Sequence, residues 1–330
     1  MQLKKGEKMH ILVIGGAGYI GSHVVLDLLQ KGHKVTVFDN LSTGQTVNLQ
    51  PQAAFIQGDI CRFEEIERAF ALKPDAAVLL AGKKSVGESM EKPEFYAQTN
   101  IQGMLCVLNA MLKNNIKKLV FSSSSSVYGQ PAYTPIDENH PLSPLSFYGF
   151  TKLETERFLK WYSDLKGLKF VALRYFNAVG YDKDGQIKGM EKNPQNLLPL
   201  IMEVLTGKRE KLLVFGNDYE TTDGTCIRDY IHVSDLADAH TKALNYLEEG
   251  KESIILNLGT EKGISVLEMI KAVEEITGKK VPFEFAPRRE GDAPVSLASC
   301  KSAKEKLGWQ ATQSSLENII RTTWKMYKNL

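Results

Sequence analysis

The feature that most constrains the fold of this chain is a glycine-rich turn between an apolar strand and a helix near its start. Residues 10–14 (HILVI) are typical of a buried strand, and GGAGYIG follows at 15–21. Apolar residues at helical spacing come next, and a second apolar segment at 34–38 ends in Asp39. This order of strand, glycine loop, helix, strand and acid predicts the first half of a nucleotide-binding α/β unit.

The glycines Gly15, Gly18 and Gly21 and the acid each have a physical reason in such a unit. Glycines let the backbone turn tightly and approach a pyrophosphate, which binds at the helix N-terminus where free N–H groups and the dipole favour anions. Asp39 lies where an acid hydrogen-bonds an adenosine ribose diol and disfavours a 2′-phosphate. The sequence therefore predicts an NAD-type site. The alternative is a glycine-rich turn in an α/β domain that binds no dinucleotide.

Strand and helix patterns continue to alternate to about residue 177 and then become irregular. We predict strands at 53–57, 76–80, 118–121 and 170–173, and helices at 63–72, 93–113 and 146–165, with Ser146 as an N-cap. After a polar loop at 181–193, we predict helices at 196–205, 234–247 (capped by Ser234) and 265–277, strands at 211–215, 254–258 and 281–285, and two terminal helices. The alternation predicts an α/β protein with a Rossmann-type doubly wound parallel sheet.

The later, irregular part predicts a second and smaller α/β domain that binds substrate. We expect an NAD-binding domain over 1–177, completed by a return segment at about 230–258. The remainder, 178–330, would form mainly the second domain, which is discontinuous and interleaved with the first because no linker-like stretch separates them.

A hydroxyl cluster and a tyrosine–lysine pair lie in the middle of the chain. The serines of 122–126 follow a strand, and Tyr148 and Lys152 lie four residues apart in one predicted helix. Four residues are about one helical turn, so the two side chains share a face with Cβ atoms about 5–6 Å apart. The pattern alone is common, and the alternative is an ordinary aromatic residue and a surface lysine.

The Tyr148–Lys152 pair is significant because a tyrosine that acts as a base at neutral pH needs a pKa below its usual value. An unperturbed tyrosine has a pKa of about 10, and lowering it to about 7 takes roughly 4 kcal/mol in favour of the phenolate. A lysine cation about 6 Å away supplies on the order of 3 kcal/mol at an effective dielectric constant of about 20. Lys152 would provide most of the shift, and an oxidised nicotinamide ring would be a suitable second positive charge.

Composition excludes several other classes of protein. Of the 330 residues 43% are hydrophobic and 24% charged, and the net charge of +2 indicates neither nucleic acid nor a membrane surface as a partner. Four widely spaced cysteines favour free thiols in a reducing compartment over disulfides or a metal site; they are Cys61, Cys106, Cys226 and Cys300. The first apolar run, 11–14, is too short for a signal peptide, and no run reaches about 18 residues, so we predict a soluble, cytoplasmic protein.

Longer runs resemble one enzyme family along nearly the whole chain from His10 onward. They are GGAGYIGSH at 15–23, FDNLSTG at 38–44, GDI at 58–60, KSVGES at 84–89, SSVYG at 125–129, RYFNAVG at 174–180, VFGNDYETTDGTCIRDYIHVSDLADAH at 214–240 and FAPRREGD at 285–292. With the GxxGxxG and YxxxK motifs, these runs resemble the UDP-glucose (UDP-galactose) 4-epimerases of the extended short-chain dehydrogenase/reductase family. The last two runs are the most specific, because they belong to the sugar-nucleotide half.

The resemblance implies a reaction in which a tightly held NAD takes hydride from C4 of the sugar, the 4-keto sugar turns over, and hydride returns to the other face. Tyr148 would remove the C4 hydroxyl proton, Lys152 would hold the nicotinamide ribose and lower the pKa of Tyr148, and Ser124 would hydrogen-bond the sugar hydroxyl. The residues implied around NAD are Gly15, Gly18, Tyr19, Ile20, Gly21, Asp39, Asn40, Asp59, Ile60, Ala81, Gly82, Lys84, Asn100, Ser124, Tyr148, Lys152 and Phe176. Those implied around the UDP-sugar are Lys84, Ser124, Tyr148, Asn177, Asn196, Phe215, Arg228, Arg289 and Asp292.

The two arginines in that set also fit the chemistry of a diphosphate. A diphosphate bears two negative charges, and arginine presents donors that match phosphate oxygens. Asp292 could accept a hydrogen bond from the uridine ribose. For Arg228 or Arg289 taken alone, the alternative is a solvated surface charge.

The sequence departs from the family pattern in three places. Leu79 and Leu80 replace a usual His-Phe pair, so any hydrogen bond made by that imidazole near the cofactor is lost. The residues inside the tyrosine–lysine motif are Gly149, Phe150 and Thr151, with both essential positions retained. Ser296 lies where a bulky tyrosine goes with glucose/galactose-only enzymes, so this small residue predicts a pocket that also admits N-acetyl sugars.

Other functions remain to be compared with epimerisation of UDP-glucose. A 4,6-dehydratase on the same fold needs an acid and a base after the hydroxyl of the cluster, and Ser125 and Ser126 cannot serve. A 4-epimerase of another UDP-sugar, such as the xylose/arabinose or uronic acid pair, stays open. A non-catalytic NAD-sensing regulator tends to lose the Tyr or the Lys, and both are present. The resemblance also implies a homodimer that pairs the helices at 93–113 and 146–165.

Overall fold

The structure is a computed structural model that describes residues 8–289 and 291–328. Its strands are β1 (His10–Ile14), β2 (Lys34–Asp39), β3 (Ala54–Gln57), β4 (Ala76–Leu79), β5 (Lys118–Ser124), β6 (Lys169–Tyr175), β7 (Asn177–Val179), β8 (Leu212–Phe215), β9 (Ile227–His232), β10 (Ile254–Leu258), β11 (Gly263–Ser265), β12 (Phe283–Ala286) and β13 (Val295–Ser296). Its helices are α1 (Tyr19–Gln30), α2 (Phe63–Phe70), α3 (Val86–Glu91), α4 (Pro93–Tyr96), α5 (Gly103–Lys113), α6 (Phe147–Lys166), α7 (Leu197–Leu205), α8 (Val233–Glu248), α9 (Val266–Thr277), α10 (Lys301–Leu307) and α11 (Leu316–Tyr327).

Seven parallel strands form the main sheet, in the order β10-β6-β5-β4-β1-β2-β3. Helices α1 and α8 cover one face, where Val24 and Leu28 pack with Leu236 and Leu244. Helices α2, α5 and α6 cover the other face through residues such as Met104. The strand order reverses between β1 and β4, and in such sheets ligands bind at the carboxyl ends beside this reversal. The predicted doubly wound α/β fold is confirmed.

A smaller layer follows the main sheet. Strand β9 lies at its centre and pairs with β7 and β13 in parallel and with β11 antiparallel, while β8 and β12 form a two-stranded parallel sheet. A separate apolar cluster, which includes Leu198, Val214, Tyr230 and Ile319, joins these strands to α7, α9 and α11. The polar segment at 181–193 runs from β7 to α7 without a regular helix or strand, as predicted.

The helix carrying the tyrosine–lysine motif has well-defined ends. The Ser146 hydroxyl accepts the Gly149 amide at 3.1 Å and caps α6, as predicted, and Gly167 ends the helix with φ of 67°. The predicted N-cap at Ser234 is wrong. His232 holds that position, because its imidazole Nδ1 accepts the Ser234 amide at 3.1 Å.

One long helix was predicted over 93–113, and the structure divides it. Helices α4 and α5 are joined by a π-helical segment, Ala97–Gln102. Such widened turns often occur at functional sites. This one carries Asn100, whose side chain is buried and faces the ends of the central strands. Within residues 8–289 and 291–328, no helix is both long enough and apolar enough to cross a membrane.

Candidate active site

The glycine-rich turn after β1 leaves no room for side chains. Gly15 has φ of 87°, and a Cβ there would lie 2.5 Å from the Ala81 amide nitrogen. A Cβ on Gly21 would lie 2.0 Å from the Gly15 carbonyl oxygen, so α1 can start this close to the turn only with glycine. A Cβ on Gly18 would meet only the Gly15 oxygen, at 3.3 Å. The turn thus forms a cradle at the start of α1, where Tyr19 and Ile20 begin the helix, and it fits a pyrophosphate.

Asp39 lies at the carboxyl end of β2 beside this cradle. Its carboxylate accepts the Ala17 amide at 3.0 Å and the Leu41 amide at 2.8 Å, so its direction is fixed. Burial raises the pKa of Asp39, and these two backbone hydrogen bonds oppose the rise. Each carboxylate oxygen has a second lone pair, and the pair of oxygens can still accept from a ribose diol.

Asp59 follows β3 and lies next to Asn40. One Asp59 oxygen accepts the Cys61 amide at 2.8 Å, and the other accepts the Asn40 amide group at 3.1 Å. Burial tends to raise the pKa of Asp59, but these hydrogen bonds outweigh burial and lower it. Ile60 is buried beside them. The predicted adenine-side residues are therefore neighbours, at the ends of β2 and β3.

Asn100 connects the end of β4 to α6. Its Oδ1 accepts the Lys83 amide at 2.8 Å, and its Nδ2 donates to the Lys83 carbonyl and to the Thr151 hydroxyl, each at 3.0 Å. A Cβ on Gly82 would lie 3.1 Å from Oδ1 of Asn100, so Ala81 and Gly82 pass close to it. Lys84 forms an ion pair with Glu191 in the 181–193 segment, and its ammonium lies 6.0 Å from the centre of the Tyr19 ring.

The predicted catalytic residues meet where β5 faces α6. The Lys152 Nζ donates to the Ser122 carbonyl at 2.7 Å and lies 5.8 Å from the centre of the Tyr148 ring. Ser124 ends β5, and its hydroxyl accepts the Ser126 amide at 3.2 Å. The Tyr148 amide donates to the Ser89 hydroxyl of α3 at 3.0 Å, which fixes the first turn of α6. Tyrosine, lysine and serine thus share one crevice at the carboxyl ends of the strands.

The pKa values differ from the simple expectation that Lys152 lowers that of Tyr148. Burial raises the pKa of the Tyr148 phenol, and a hydrogen bond with Ser124 opposes the rise. Burial also lowers the pKa of Lys152 to about 8, while the negative charge of Glu156 opposes this. The separation of lysine and tyrosine agrees with prediction, but the protein's own groups do not make Tyr148 a base at neutral pH. A base role for Tyr148 at neutral pH would need an additional positive charge in the crevice.

A second cluster lies on the smaller layer, beside the segment that leads into α6, since a Cβ on Gly291 would lie 3.5 Å from the Leu145 side chain. Arg228 of β9 lies 3.3 Å from one Asp292 oxygen, and Arg289 lies 2.9 Å from the other. The Arg228 guanidinium also donates to the Ala293 carbonyl at 2.7 Å, and Arg289 stacks 4.8 Å from the centre of the Phe215 ring. The structure therefore brings four predicted substrate residues together as two cations, one carboxylate and one aromatic ring. This set suits a nucleoside diphosphate.

The remaining predicted residues lie between or beside these two clusters. Asn177 of β7 donates to the Asp229 carbonyl at 2.9 Å. Asn196 precedes α7 as its N-cap residue without a side-chain capping bond. Phe176 is buried and its amide donates to the Leu258 carbonyl at 3.1 Å. Ser296, in the two-residue strand β13, pairs in register with Arg228.

Leu79 replaces the imidazole that the family pattern has at this position. It is buried at the end of β4 in the apolar cluster with Ile14 and Phe121. A cavity the size of one water molecule lies between Leu79 and Lys152. The leucine thus forms part of the apolar wall under Lys152 and makes no hydrogen bond through its side chain.

Sequence reasoning missed the polar residues beneath the tyrosine–lysine pair. Glu156 and Arg174 form a buried ion pair at 2.6 Å, with side chains 3% and 2% exposed. The Ser123 hydroxyl donates to the same carboxylate. The signal was present, since Glu156 lies four residues after Lys152 and one turn along the same helix face. The spacing alone did not single out Glu156, because an acidic residue in a helix is usually exposed to solvent.

Fold and site together define a class of protein. A glycine cradle at the start of α1, an acid at the end of β2, and a Tyr–Lys pair on α6 that faces the end of β5, with the lysine buried and the tyrosine half-buried, describe a dinucleotide-dependent α/β enzyme of the short-chain dehydrogenase/reductase type. The diphosphate-like cluster on the smaller layer adds a site for a nucleotide-linked substrate.

Comparisons with known proteins identify the family. The model of the NAD dependent epimerase/dehydratase family matches residues 11–259. A UDP-glucose 4-epimerase of Streptococcus mutans is 44% identical over 325 residues, 97% of each chain. The crystal structure of a UDP-glucose 4-epimerase from Brucella ovis in complex with NAD superposes with a TM-score of 0.94, at 40% identity, over 97% of this chain and 98% of that one. The UDP-Glc/GlcNAc 4-epimerase of Campylobacter jejuni superposes with a TM-score of 0.86, at 36% identity, over 98% of this chain and 100% of that one. The chain belongs to the NAD dependent epimerase/dehydratase family, and within it to the UDP-glucose 4-epimerases, as the resemblance predicts.

Proposed function

We propose that this chain is an NAD-dependent enzyme that interconverts UDP-glucose and UDP-galactose by inverting C4 of the sugar. One observation supports the proposal: Tyr148, Lys152 and Ser124 gather where α6 meets the end of β5, and the segment that carries Arg289 and Asp292 passes next to the start of α6, since a Cβ on Gly291 would lie 3.5 Å from the Leu145 side chain. The first set suits proton removal from a sugar hydroxyl beside a cofactor. The second set suits the diphosphate and ribose of the same substrate.

The roles of the residues follow from their positions. The cradle at Gly15, with Asp39, holds the dinucleotide, which when bound supplies the acceptor and donor of hydride. Tyr148 removes the proton of the C4 hydroxyl and later returns it. Lys152 holds a positive charge below Tyr148 and binds the nicotinamide ribose, and Ser124 orients the sugar hydroxyl. Because burial raises the pKa of Tyr148, this residue becomes a base only when bound ligands add positive charge.

The other predicted contacts are part of the same proposal. In the proposed complex with the UDP-sugar, Phe215 would stack near the uracil, and Asn177 and Asn196 would lie along the diphosphate. The remaining predicted residues around NAD are Gly18, Tyr19, Ile20, Gly21, Asn40, Asp59, Ile60, Ala81, Gly82, Lys84, Asn100 and Phe176. We also keep the predicted division into an NAD-binding domain, 1–177 with 230–258, and a UDP-sugar domain in the rest of 178–330. The free cysteines favour a reducing compartment, the cytoplasm.

A dehydratase is disfavoured by the residues that follow Ser124. Elimination of water needs an acid and a base at these positions. The chain has Ser125 and Ser126 in the short 3-10 turn that continues β5, and the Ser126 hydroxyl only bonds to Ser124 at 3.2 Å. Epimerisation needs no such pair, because hydride returns to the C4 carbon and the proton returns to the C4 oxygen.

A second substrate class is favoured by Ser296. The residue is small and pairs in register with Arg228, so it lies beside the proposed sugar-nucleotide cluster. We propose that UDP-N-acetylglucosamine and UDP-N-acetylgalactosamine also enter the pocket. The similarity to the Campylobacter jejuni UDP-Glc/GlcNAc enzyme supports this breadth.

We further propose that the active form is a homodimer that pairs α5 and α6 of two copies. Helix α6 exposes Phe150, Trp161 and Leu165, with exposed fractions of 40%, 60% and 68%. Their spacings of eleven and four residues return to nearly the same helix face. Sedimentation analysis tests the proposal, and a monomer that sediments alone at assay concentration would contradict it.

The first experiment follows the sugar directly. Purified protein without added NAD is mixed separately with UDP-galactose and UDP-N-acetylgalactosamine, and the products are read by proton NMR. Conversion of both to their C4 epimers supports the reaction, a retained NAD and the open pocket. Conversion of UDP-galactose alone removes the N-acetyl proposal. If neither converts even with NAD supplied, the hexose assignment is wrong, and UDP-xylose, UDP-glucuronate and dehydratase products are examined next.

A further inference from the structure

The end of β5 contacts α6 at two successive turns of the helix. The Ser122 carbonyl accepts the Lys152 ammonium at 2.7 Å, and the Ser123 hydroxyl donates to the Glu156 carboxylate at 2.5 Å. Lys152 and Glu156 are four residues apart, so they lie on one helix face about 6 Å from each other. The lysine of the active site therefore has an anion directly behind it.

The Glu156 carboxylate is held by a guanidinium in a two-bond geometry. Arg174 donates from Nε at 2.9 Å and from Nη2 at 2.6 Å to the two carboxylate oxygens. The remaining Nη1 donates to the Tyr128 hydroxyl at 2.8 Å, and that hydroxyl donates to Asn257 at 2.7 Å. Paired arginine–carboxylate bonds of this kind fix both position and charge. Glu156 is therefore a carboxylate fixed in position inside the protein, in an ion pair with Arg174.

Lys152 needs such an anion because its surroundings disfavour a cation. Its side chain is 6% exposed, and burial lowers its pKa to about 8. On its own helix it faces Tyr148 and Glu156, and the π-helical segment contributes the neutral Asn100.

The neighbouring strand β6 adds no carboxylate to the surroundings of Lys152. Its Arg174 is engaged by Glu156, and its Tyr175 hydroxyl bonds to His240 at 2.5 Å. The charge that opposes loss of the Lys152 proton is that of Glu156.

We propose that Glu156 is a positioning residue for the reaction: its carboxylate, held by Arg174 and Ser123, keeps Lys152 protonated beneath Tyr148. The inference rests on the proposed function, in which Lys152 acts as a cation. A purely structural reading treats Glu156 and Arg174 only as a buried ion pair that stabilises the fold. The two readings differ in what happens to the pH dependence of turnover when the carboxylate is removed.

The test compares Glu156→Gln with Asp235→Asn in the full chain with NAD bound. Asp235 is a matched control, because its buried carboxylate accepts the amides of Thr312 and Gln313 at 2.9 Å, outside the proposed site. For each variant, kcat and KM for UDP-galactose are measured across the neutral and alkaline range, and thermal unfolding is recorded.

In the wild type, kcat should fall at high pH when Lys152 loses its proton, and this fall is the alkaline limb of the pH profile. We expect Glu156→Gln to move this limb to lower pH by at least about one unit. A charge about 6 Å away at an effective dielectric constant of about 20 corresponds to roughly two pKa units, and partial screening reduces this. At a pH near the wild-type limb, kcat should fall by about tenfold, with KM changed by less than about twofold. Asp235→Asn should lower the unfolding temperature and leave the limb in place.

A second variant covers the case in which Glu156→Gln leaves Arg174 uncompensated and the protein does not fold. Replacing both partners, Glu156→Leu with Arg174→Met, removes the pair without leaving a buried charge, and such replacements are often tolerated. The limb should move in this double variant too. A folded variant of either kind whose limb coincides with that of the wild type would overturn the proposal. If the wild-type protein itself does not turn over UDP-galactose, the proposed function has failed instead.

Discussion

The guanidinium of Arg228 lies 3.3 Å from the carboxylate of Asp292, in an ion pair that joins β9 to the segment after β12. The other Asp292 oxygen binds Arg289, so a single carboxylate holds two arginines side by side. Both arginines stay partly exposed, and among the residues that the structure describes Arg289 hydrogen-bonds through its Nε alone. A pair of cations held in this way is prepared for a dianion, and it can bind a diphosphate with little reordering.

Arg228→Met should weaken substrate binding more than it slows the chemistry. The substitution keeps an unbranched apolar stem and removes the guanidinium with its charge, and hydrogen bonds to charged groups contribute about 1.5–3 kcal/mol. We expect KM for UDP-galactose to rise by about tenfold or more, with kcat changed by less than about threefold, in steady-state assays. Arg321→Met is the control, because Arg321 pairs only with Glu317 on the surface of α11 and should leave both constants unchanged. An unaltered KM in Arg228→Met would contradict the diphosphate assignment.

Tyr148→Phe should abolish most of the turnover while leaving the protein folded. The substitution removes the hydroxyl that takes the proton, and general base catalysis is typically worth about 10²–10⁴-fold. In the wild type, kcat should rise with pH because the base form of Tyr148 is needed, and because burial raises the pKa of Tyr148 this rise should lie at higher pH than for an exposed phenol beside the same ligands. That acidic limb should be missing from the residual activity of Tyr148→Phe. Turnover equal to the wild type would exclude the base role.

Three buried histidines should make the protein sensitive to acid. His23 donates to the Tyr19 carbonyl at 2.8 Å and accepts the Asp182 amide at 3.0 Å, so neither ring nitrogen can take a further proton without losing a bond. Burial lowers the pKa of His23, His232 and His240 to about 4. These folded-state values lie below the unfolded value of about 6.5, so the unfolded chain binds more protons and stability falls as pH falls from about 6.5 toward 4.

The size of this effect can be measured by urea unfolding at several pH values. Three such groups give a slope of about 4 kcal/mol per pH unit near pH 5, and a loss of about 5 kcal/mol in the free energy of unfolding between pH 7 and pH 5. In His240→Gln the slope should shrink by about a third. Equal stability at the two pH values would show that these rings are not held neutral.

Ser296→Tyr should narrow the range of substrates. A bulky ring beside Arg228 would fill the space proposed for the N-acetyl group, so conversion of UDP-N-acetylgalactosamine should fall by about a hundredfold or more, while that of UDP-galactose stays within about fivefold. Both are followed by proton NMR. Ser296→Ala is the control and should retain both activities. Equal loss of both in Ser296→Tyr would show that the residue does not select the sugar.

Helices and strands long enough to show a repeating apolar pattern were predictable from the sequence, and the shortest strands were not. The buried strands and Ser146 carry local signals that the fold does not override. Strands β7, β11 and β13 have three residues or fewer, so no alternation can develop, and they exist only because β9 offers hydrogen-bonding edges. The cap of α8 was missed because a histidine ring, rather than a hydroxyl, accepts the Ser234 amide.

The same limit applies to the candidate site. The positions of Tyr148, Lys152, Arg228 and Asp292 follow from motifs, since each motif fixes a place along the chain. The pKa values of these residues do not follow, because burial acts through all neighbours at once and reverses the expected shift of Tyr148. The ion pair of Glu156 and Arg174 joins a helix to a strand, and only the packing of α6 on β6 brings the two together.

The order of strands in the main sheet differs from their order of synthesis. Strand β10 closes the sheet beside β6, yet residues 176–253, which include β7, β8 and β9 of the smaller layer, are made between them. Helix α8, which covers the face of α1, also arrives after β9. A ribosome-bound chain that ends near residue 177 therefore leaves the β6 edge unpaired and the α1 face uncovered. The main sheet can therefore close only after β7, β8 and β9 of the smaller layer have been made, and until β10 emerges the open β6 edge can pair with strands of other chains.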